Sequence, residues 1–472
     1  MTDTPQTFVI LGANGDLTER LLLPCIASYL ATGAVDQPLK IIGSGRHAND
    51  EFPQTVREVF AQTLGADPLP GPVVEGTAQQ AEFRVSDATD AEDLAGLLEH
   101  EAGPVVLYFA LAPAVAVDTV DALARLKEQG RLPRRLILAM EKPLGTGEDS
   151  ARELDAKLAD LVPEEDVYRV DHFLGMPGLL SLLGLRFGNR LFESAWSREG
   201  IESIDILFEE TLGLEGRADF YDGTGAAEDM LQSHLLQVMG LTLMDPQGDI
   251  DGAAIQEASA EIICSARVAE SAADGEGPAV VRGRYTAGEA GGKSLPSYVD
   301  EDGVDPSRQT ETYARATLAV DAERWRGVPV TIASGKAVGE PRQEIRIRFR
   351  PSARSADLPG VQEARPGMLR IGLQDEVIAI DANVGGEYDS RGLGRITLSS
   401  HVRQAPLTPY GSVVRGIFEG RRTFSVSGRA AEQGWRVLSE IRAAYDDGRA
   451  PLLDYPAGSA GPVPADESAA EA

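Results

Sequence analysis

Cysteine is nearly absent: Cys25 and Cys264 are the only two in 472 residues. Both sit inside apolar runs without metal-ligand spacing, which excludes a disulfide framework and a cysteine-built metal site. Buried free thiols in a reducing compartment are expected instead. Lysine is also scarce, confined to Lys40, Lys127, Lys142, Lys157, Lys293 and Lys336, while arginine is abundant. Acidic residues outnumber basic ones, 74 to 44, and the formal charge of −30 leaves no basic face for a nucleic-acid backbone. The bias fits either a salt-adapted surface or a genome-wide preference for arginine. No run approaches the roughly eighteen uninterrupted apolar residues a membrane span needs, and the N-terminus lacks a basic-then-apolar leader. These absences predict a soluble, cytoplasmic protein with neither a membrane nor a nucleic-acid partner.

What is present first organises as strands and glycine turns. A chain of 472 residues is too long for one ordinary core and predicts two domains. Thr7 to Leu11 is a short apolar run ending in Gly12-Ala13-Asn14-Gly15-Asp16-Leu17, and an amphipathic segment follows from Leu21 to Leu30. Strand, glycine turn and helix in that order form a dinucleotide fingerprint, because glycines admit a pyrophosphate and the helix N-terminus supplies partly positive amides. A second strand, Leu39 to Ile42, leads to Gly45-Arg46. An acid at this place would accept ribose hydroxyls, whereas an arginine suits a ribose 2′-phosphate, favouring NADP with NAD left open. Further strands are expected at Val105 to Leu111, Leu136 to Met140 and Val167 to Val170, with a helix at Ser150 to Leu161. The alternation predicts a doubly wound parallel sheet, the Rossmann arrangement, over residues 1–170. Lys142 stands at a strand's carboxyl end, where such sheets bind ligands.

Beyond residue 170 the pattern changes. Ile204, Ile206 and Phe208 alternate. Strands also read at Glu261 to Val268, Val280 to Tyr285, Thr312 to Val320, Val328 to Ser334, Glu344 to Phe349, Leu369 to Ile371 and Val377 to Ile380. Turns separate them, so residues 171–455 are expected to form an α+β domain with a large, mainly antiparallel sheet. Its helices are expected at Gly225 to Met244, Gly411 to Glu419 and Ser427 to Asp446. Residues 456–472, rich in Ala, Gly, Pro and acids, read as a disordered acidic tail.

The chemistry concentrates between Arg169 and Pro246. Arg169-Val170-Asp171-His172-Phe173-Leu174-Gly175 opens this stretch, Leu185-Arg186-Phe187-Gly188-Asn189 follows, and Asp229-Met230-Leu231-Gln232-Ser233-His234 closes it. Two of the five histidines lie here, each close in sequence to a carboxylate, as proton abstraction from a hydroxyl requires. At an α-helical spacing of about 100° per residue, Asp229 lies about 140° from His234, which argues against a pairing within that helix.

These segments, with Gly-x-x-Gly-Asp-Leu near the start, Glu141-Lys142-Pro143, Glu323-Arg324-Trp325-Arg326-Gly327-Val328-Pro329 and Ser334-Gly335-Lys336-Ala337, resemble the glucose-6-phosphate dehydrogenase family over Phe8 to about Tyr455. The resemblance implies an NADP-dependent enzyme that oxidises the anomeric carbon of a hexopyranose to the 1,5-lactone. It makes His234 the base with Asp171 as its carboxylate, and gives the sugar to His172, Lys142, Glu210, Asp229 and Lys336. It gives the cofactor to Gly12, Asn14, Gly15, Asp16, Leu17, Arg46 and Lys142, and implies no metal. It also implies a homodimer or homotetramer, and a Lys-Pro bond that could be cis. Phe173 and Met176 stand where the family carries a tyrosine and a lysine that grip the sugar phosphate, and Leu21 replaces another family lysine in the first helix. Losing such donors weakens phosphate binding by roughly one to three orders of magnitude. An unphosphorylated or otherwise 6-substituted glucose is therefore expected about as strongly as glucose 6-phosphate. A catalytically silent NADP-binding subunit is the alternative, and a glucose-fructose oxidoreductase type fits the late motifs poorly.

Overall fold

A computed structural model describes residues 5–99, 101, 103–275, 277–352, 354, 365–386, 393–403 and 405–462. The chain divides into two compact units, one made of Met1–Gly175, Pro246–Glu257 and Ala405–Glu432, the other of Met176–Asp245, Ala258–Gln404 and Gln433–Ala472. A cut at residue 170 thus misses two segments, 246–257 and 405–432, that fold with the first unit. Ser425–Val426 shows why: it pairs antiparallel with Val167–Val170, a partnership no local pattern reveals.

The first unit is built on β1 (Thr7–Leu11), β2 (Lys40–Gly45), β3 (Glu82–Val85), β4 (Val105–Phe109), β5 (Leu136–Met140) and β6 (Val167–Val170), all parallel to their neighbours. The sheet order is β6-β5-β4-β1-β2-β3, with Ser425–Val426 on the outer edge of β6. The order reverses between β1 and β4, which opens a crevice at their carboxyl ends. β1 is buried at every position because both faces are covered. Phe8 and Ile10 pack with Ile26, Phe60 and Val413, while Val9 and Leu11 pack with Leu94, Leu123 and Leu158 on the other face. The edge strand β3 escapes a sequence reading, since its residues are only half-buried or exposed and its apolar pattern is weak.

The second unit carries β7 (Ile201–Glu209), β8 (Ala266–Val268), β9 (Val280–Thr286), the small hairpin β10 (Gly288–Ala290) and β11 (Lys293–Leu295), β12 (Tyr313–Val320), β13 (Pro329–Gly335), β14 (Arg342–Phe349), β15 (Met368–Gly372), β16 (Val377–Gly385) and β17 (Leu393–His401). Its large sheet runs β17-β16-β15-β14-β7-β13-β12-β9, with Leu452–Pro456 beyond β9 and β8 on β12. Most pairs are antiparallel, but β7 runs parallel to β13 and β9 to Leu452–Pro456. The strand expected at Glu261 to Val268 is mostly helix: Gly252–Ser265 is helical and only Ala266–Val268 is strand. Ile255, Ala258, Ile262 and Ile263 supply a helical stripe, and the β-branched Ile262-Ile263 pair misled the local reading.

The helix expected from Gly225 is not uniform. Gly225 breaks it with φ 70°, Ala227–Leu235 is π-helical, and Leu236–Leu243 is α-helical. The expected tail begins too early, because Ala457 is buried, Gly458 N donates to Ala337 O and Gly339 N donates to Ser459 O. Residues 463–472 of that tail lie outside the described residues. Cys25 and Cys264 are free thiols, the first buried and the second half-buried. Among the described residues no helix is long and apolar enough to cross a membrane.

Candidate active site

In the first unit the fingerprint turn sits at the carboxyl end of β1. Gly12 has φ 80°, and a Cβ there would lie 2.2 Å from the Ala110 carbonyl oxygen, so only glycine lets β1 close onto the end of β4. Gly12 N and Ala13 N donate to Ser44 O at 2.9 Å each, which ties the turn to β2. Asn14 extends the link: its Nδ2 donates to His47 O at 3.1 Å and its Oδ1 accepts from Asn49 at 2.9 Å. Asn14, Gly15, Asp16 and Arg46 are exposed and Leu17 is half-buried. Arg46, just past β2, lies near Asp87, whose carboxyl is held below its usual range first by the Thr89 N–H and hydroxyl and then by that guanidinium. A glycine turn after β1 with an exposed arginine just past the neighbouring β2 fits a dinucleotide phosphate.

The other end of the crevice carries Lys142, joined to Pro143 by a cis peptide bond. Beside it, Glu141 was not singled out by the sequence, yet its carboxyl is strongly perturbed. Burial pushes it up to about 7, against the opposing pull of the Tyr108 hydroxyl, Lys142 and the Tyr410 hydroxyl. Tyr108 donates a short hydrogen bond to Glu141 Oε1, and Tyr410 Oη reaches the same oxygen at 3.5 Å. Tyr410 arrives from the helix Pro409–Glu419, which is capped by Thr408 Oγ1 accepting from Gly411 N and opened by a proline. Its ring stacks on His172, with centroids 4.9 Å apart and planes 9° from parallel. Asp171 is buried and caps the next turn, its Oδ1 accepting from Phe173 N at 3.0 Å. Gly175 ends that turn where a Cβ would meet Pro409 O at 2.3 Å. Asp171, His172 and Gly175 of the Asp-His-Phe-Leu-Gly segment therefore each have a local structural reason.

In the second unit parallel pairing places two strand ends side by side, Glu209 opposite Gly335. The next residues, Glu210 and Lys336, leave the sheet together, with Nζ 3.1 Å from Glu210 Oε2. Lys336 is 8% exposed, so its ammonium needs compensation. Glu210 supplies a charge, and the Tyr221 ring lies 5.2 Å from Nζ. Such a cation–π contact contributes about 0.5–2 kcal/mol. The backbone is fixed as well: Lys336 N donates to Thr312 O at 2.9 Å, and Tyr455 Oη donates to Lys336 O at 2.7 Å. Tyr221, which the sequence reading passed over, also feels Asp229. Burial raises its phenol well above the ordinary value, and the Asp229 and Glu311 charges raise it further.

Asp229 is half-buried and His234 buried, and both stand on the π-helical segment. Bonding from i to i+5 places residues five apart on the same side of the helix, so the α-helical estimate of about 140° between them does not apply. Ser233 Oγ donating to Glu228 O, five residues back, belongs to the same winding. Phe173 and Met176 are 3% and 2% exposed, apolar side chains closed into the interior, and Leu21 is exposed at the surface.

Profiles described as "Glucose-6-phosphate dehydrogenase, NAD binding domain" and "Glucose-6-phosphate dehydrogenase, C-terminal domain" match residues 9–178 and 183–472. The chain belongs to the glucose-6-phosphate dehydrogenase family. It is 32% identical to the glucose-6-phosphate 1-dehydrogenase of Zymomonas mobilis, over 98% of this chain and 97% of that one. It is 33% identical to the enzyme of the same name from Gluconobacter oxydans, over 97% and 94%. A solved glucose-6-phosphate dehydrogenase in complex with its substrate glucose-6-phosphate superposes with a TM-score of 0.83 at 25% identity, covering 100% of this chain and 98% of that one. The protein is accordingly a sugar dehydrogenase of the glucose-6-phosphate dehydrogenase type, with a nicotinamide cofactor served by its N-terminal domain.

Proposed function

We propose that this enzyme oxidises the anomeric carbon of glucose 6-phosphate to the 1,5-lactone with NADP, holding the phosphate less tightly than a pocket with the family's full donor set. The carrying observation is the cluster of Lys336, Glu210, Tyr221 and Asp229, a charged and mostly buried set that suits sugar hydroxyls, beside a buried His234 on the same π-helical segment as Asp229. In this reading His234 accepts the anomeric hydroxyl proton, and Asp171 is the carboxylate assigned to stabilise the resulting imidazolium. The nicotinamide supplies hydride acceptance. Glu210, Asp229, Lys336 and Lys142 hold ring hydroxyls, and His172 reads the 6-position. Gly12, Asn14, Gly15, Asp16 and Leu17 seat the dinucleotide, and the exposed Arg46 favours a 2′-phosphate. A homodimer or homotetramer without nucleic-acid or membrane partners, working in the cytoplasm without a metal, completes the proposal.

A second reading is favoured by one observation: Phe173 and Met176 present no hydroxyl and no ammonium. An unphosphorylated or 6-substituted glucose would then be preferred. A panel of aldoses with and without the 6-phosphate, each with NADP and NAD, separates the two. Highest kcat/KM for glucose 6-phosphate with NADP supports the first reading, and preference for glucose supports the second. Turnover of no sugar in the panel would overturn both readings. His234→Asn should lower kcat by about 10²–10⁴-fold on the best substrate, and undiminished turnover would remove the histidine from the mechanism.

A further inference from the structure

The segment that bears Asp229 and His234 begins against a buried acid with no role in the reading above. Gly225 has φ 70°, and the two residues after it point their N–H groups at one partner. Ala226 N donates to Glu311 O at 3.1 Å and Ala227 N donates to Glu311 Oε1 at 3.0 Å. Glu311 is 7% exposed and lies two residues before Tyr313, where β12 begins. A Cβ at position 225 would come within 2.6 Å of Glu311 Oε1, so glycine is what lets the carboxylate approach. The initial donors of a helix have no partner inside it, and here one buried residue just ahead of β12 serves two of them. Burial raises the Glu311 carboxyl, opposed by the Ala227 N–H, its own N–H, Arg442 and Arg282.

We propose that Glu311 is a positioning residue for the reaction: by gripping the first turn of Ala227–Leu235 with side chain and carbonyl together, it sets where Asp229 and His234 stand. The role rests on the reading of those two residues as sugar ligand and base. Mispositioning on the scale of an ångström costs catalysis about 10²-fold, so the effect is measurable. The test is steady-state kinetics of the full-length enzyme with glucose 6-phosphate and NADP, for Glu311→Leu, Glu311→Gln, Gly225→Ala and His234→Asn. Glu311→Leu should raise the sugar KM and lower kcat, each by about 10-fold or more, while the NADP KM stays within about twofold. Glu311→Gln keeps an oxygen for Ala227 N and should recover most of the loss. Gly225→Ala, which pushes the carboxylate away, should move the same two constants in the same direction. A purely structural role would reduce only the amount of active enzyme and leave both KM values alone, and that result overturns the proposal. So does a glutamine variant as impaired as the leucine one. Should Glu311→Leu fail to fold, Gly225→Ala decides: unchanged sugar KM and kcat overturn it. His234→Asn reports separately on the base, because the sugar KM shift is transmitted through Asp229 and does not require His234 to take the proton.

Discussion

Two residues in the first unit show how far burial alone redirects chemistry. Glu141 is raised from an ordinary 4.5 to about 7, so the folded protein holds its proton where the unfolded chain has lost it. By linkage this acid's contribution to stability is fully present below about 4.5 and declines as pH rises towards about 7. Glu141→Gln should therefore flatten the fall in melting temperature over that window, and an unchanged slope would place the titration elsewhere. Phe173 makes the opposite point. Its sequence position promises a phosphate ligand and its side chain cannot be one. The double variant Phe173→Tyr, Met176→Lys should lower the KM for glucose 6-phosphate by about 10-fold or more and leave unphosphorylated glucose nearly unaffected. Equal effects on both sugars would mean that the 6-position is read by other side chains.

At the level of elements, the turn after β1 is tightly constrained. Gly12 combines a positive φ with a backbone carbonyl where a side chain would stand. Gly12→Ala should destabilise the protein by about 2 kcal/mol or more and, with this turn proposed to seat the dinucleotide, raise the KM for it. Normal coenzyme binding in a folded variant would disconnect the turn from the cofactor. The helix Leu236–Leu243 is finished by side chains rather than by a glycine cap. Trp196 Nε1 donates to Thr242 O at 3.0 Å and Trp325 Nε1 to Leu243 O at 2.7 Å. Because this helix continues the π-helical segment, both of its ends are tied to sheet-borne or core residues, which suits a segment carrying a proposed base.

For the molecule as a whole, a charge of −30 means net self-repulsion. Raising sodium chloride from about 0.01 M to about 0.15 M shortens the Debye length from about 30 Å to about 8 Å, and the melting temperature should rise. A flat response would mean that local pairs such as Arg152 with Glu148, Asp149 and Glu432 already balance the acids. Both sheets and the fingerprint turn were legible in outline from apolar runs, alternation and glycine spacing, whereas Lys142, Glu210, Lys336, Asp229 and His234 were singled out through the family resemblance. The half-buried edge strand β3, the helix Gly252–Ser265 and the π-helical winding were not legible, because their local patterns are weak or ambiguous. Residue identity and short-range spacing carry the two domain types and the nicotinamide-dependent class of chemistry, while the reading of 173 and 176 as lost phosphate donors rests on the family resemblance. Only the tertiary structure decided that Tyr410 meets Glu141 across 269 positions, that parallel pairing of β7 and β13 puts Glu210 beside Lys336, and that Glu311 holds the turn leading to His234. Such contacts join distant parts of the chain through sheet register and packing, and no local periodicity encodes them.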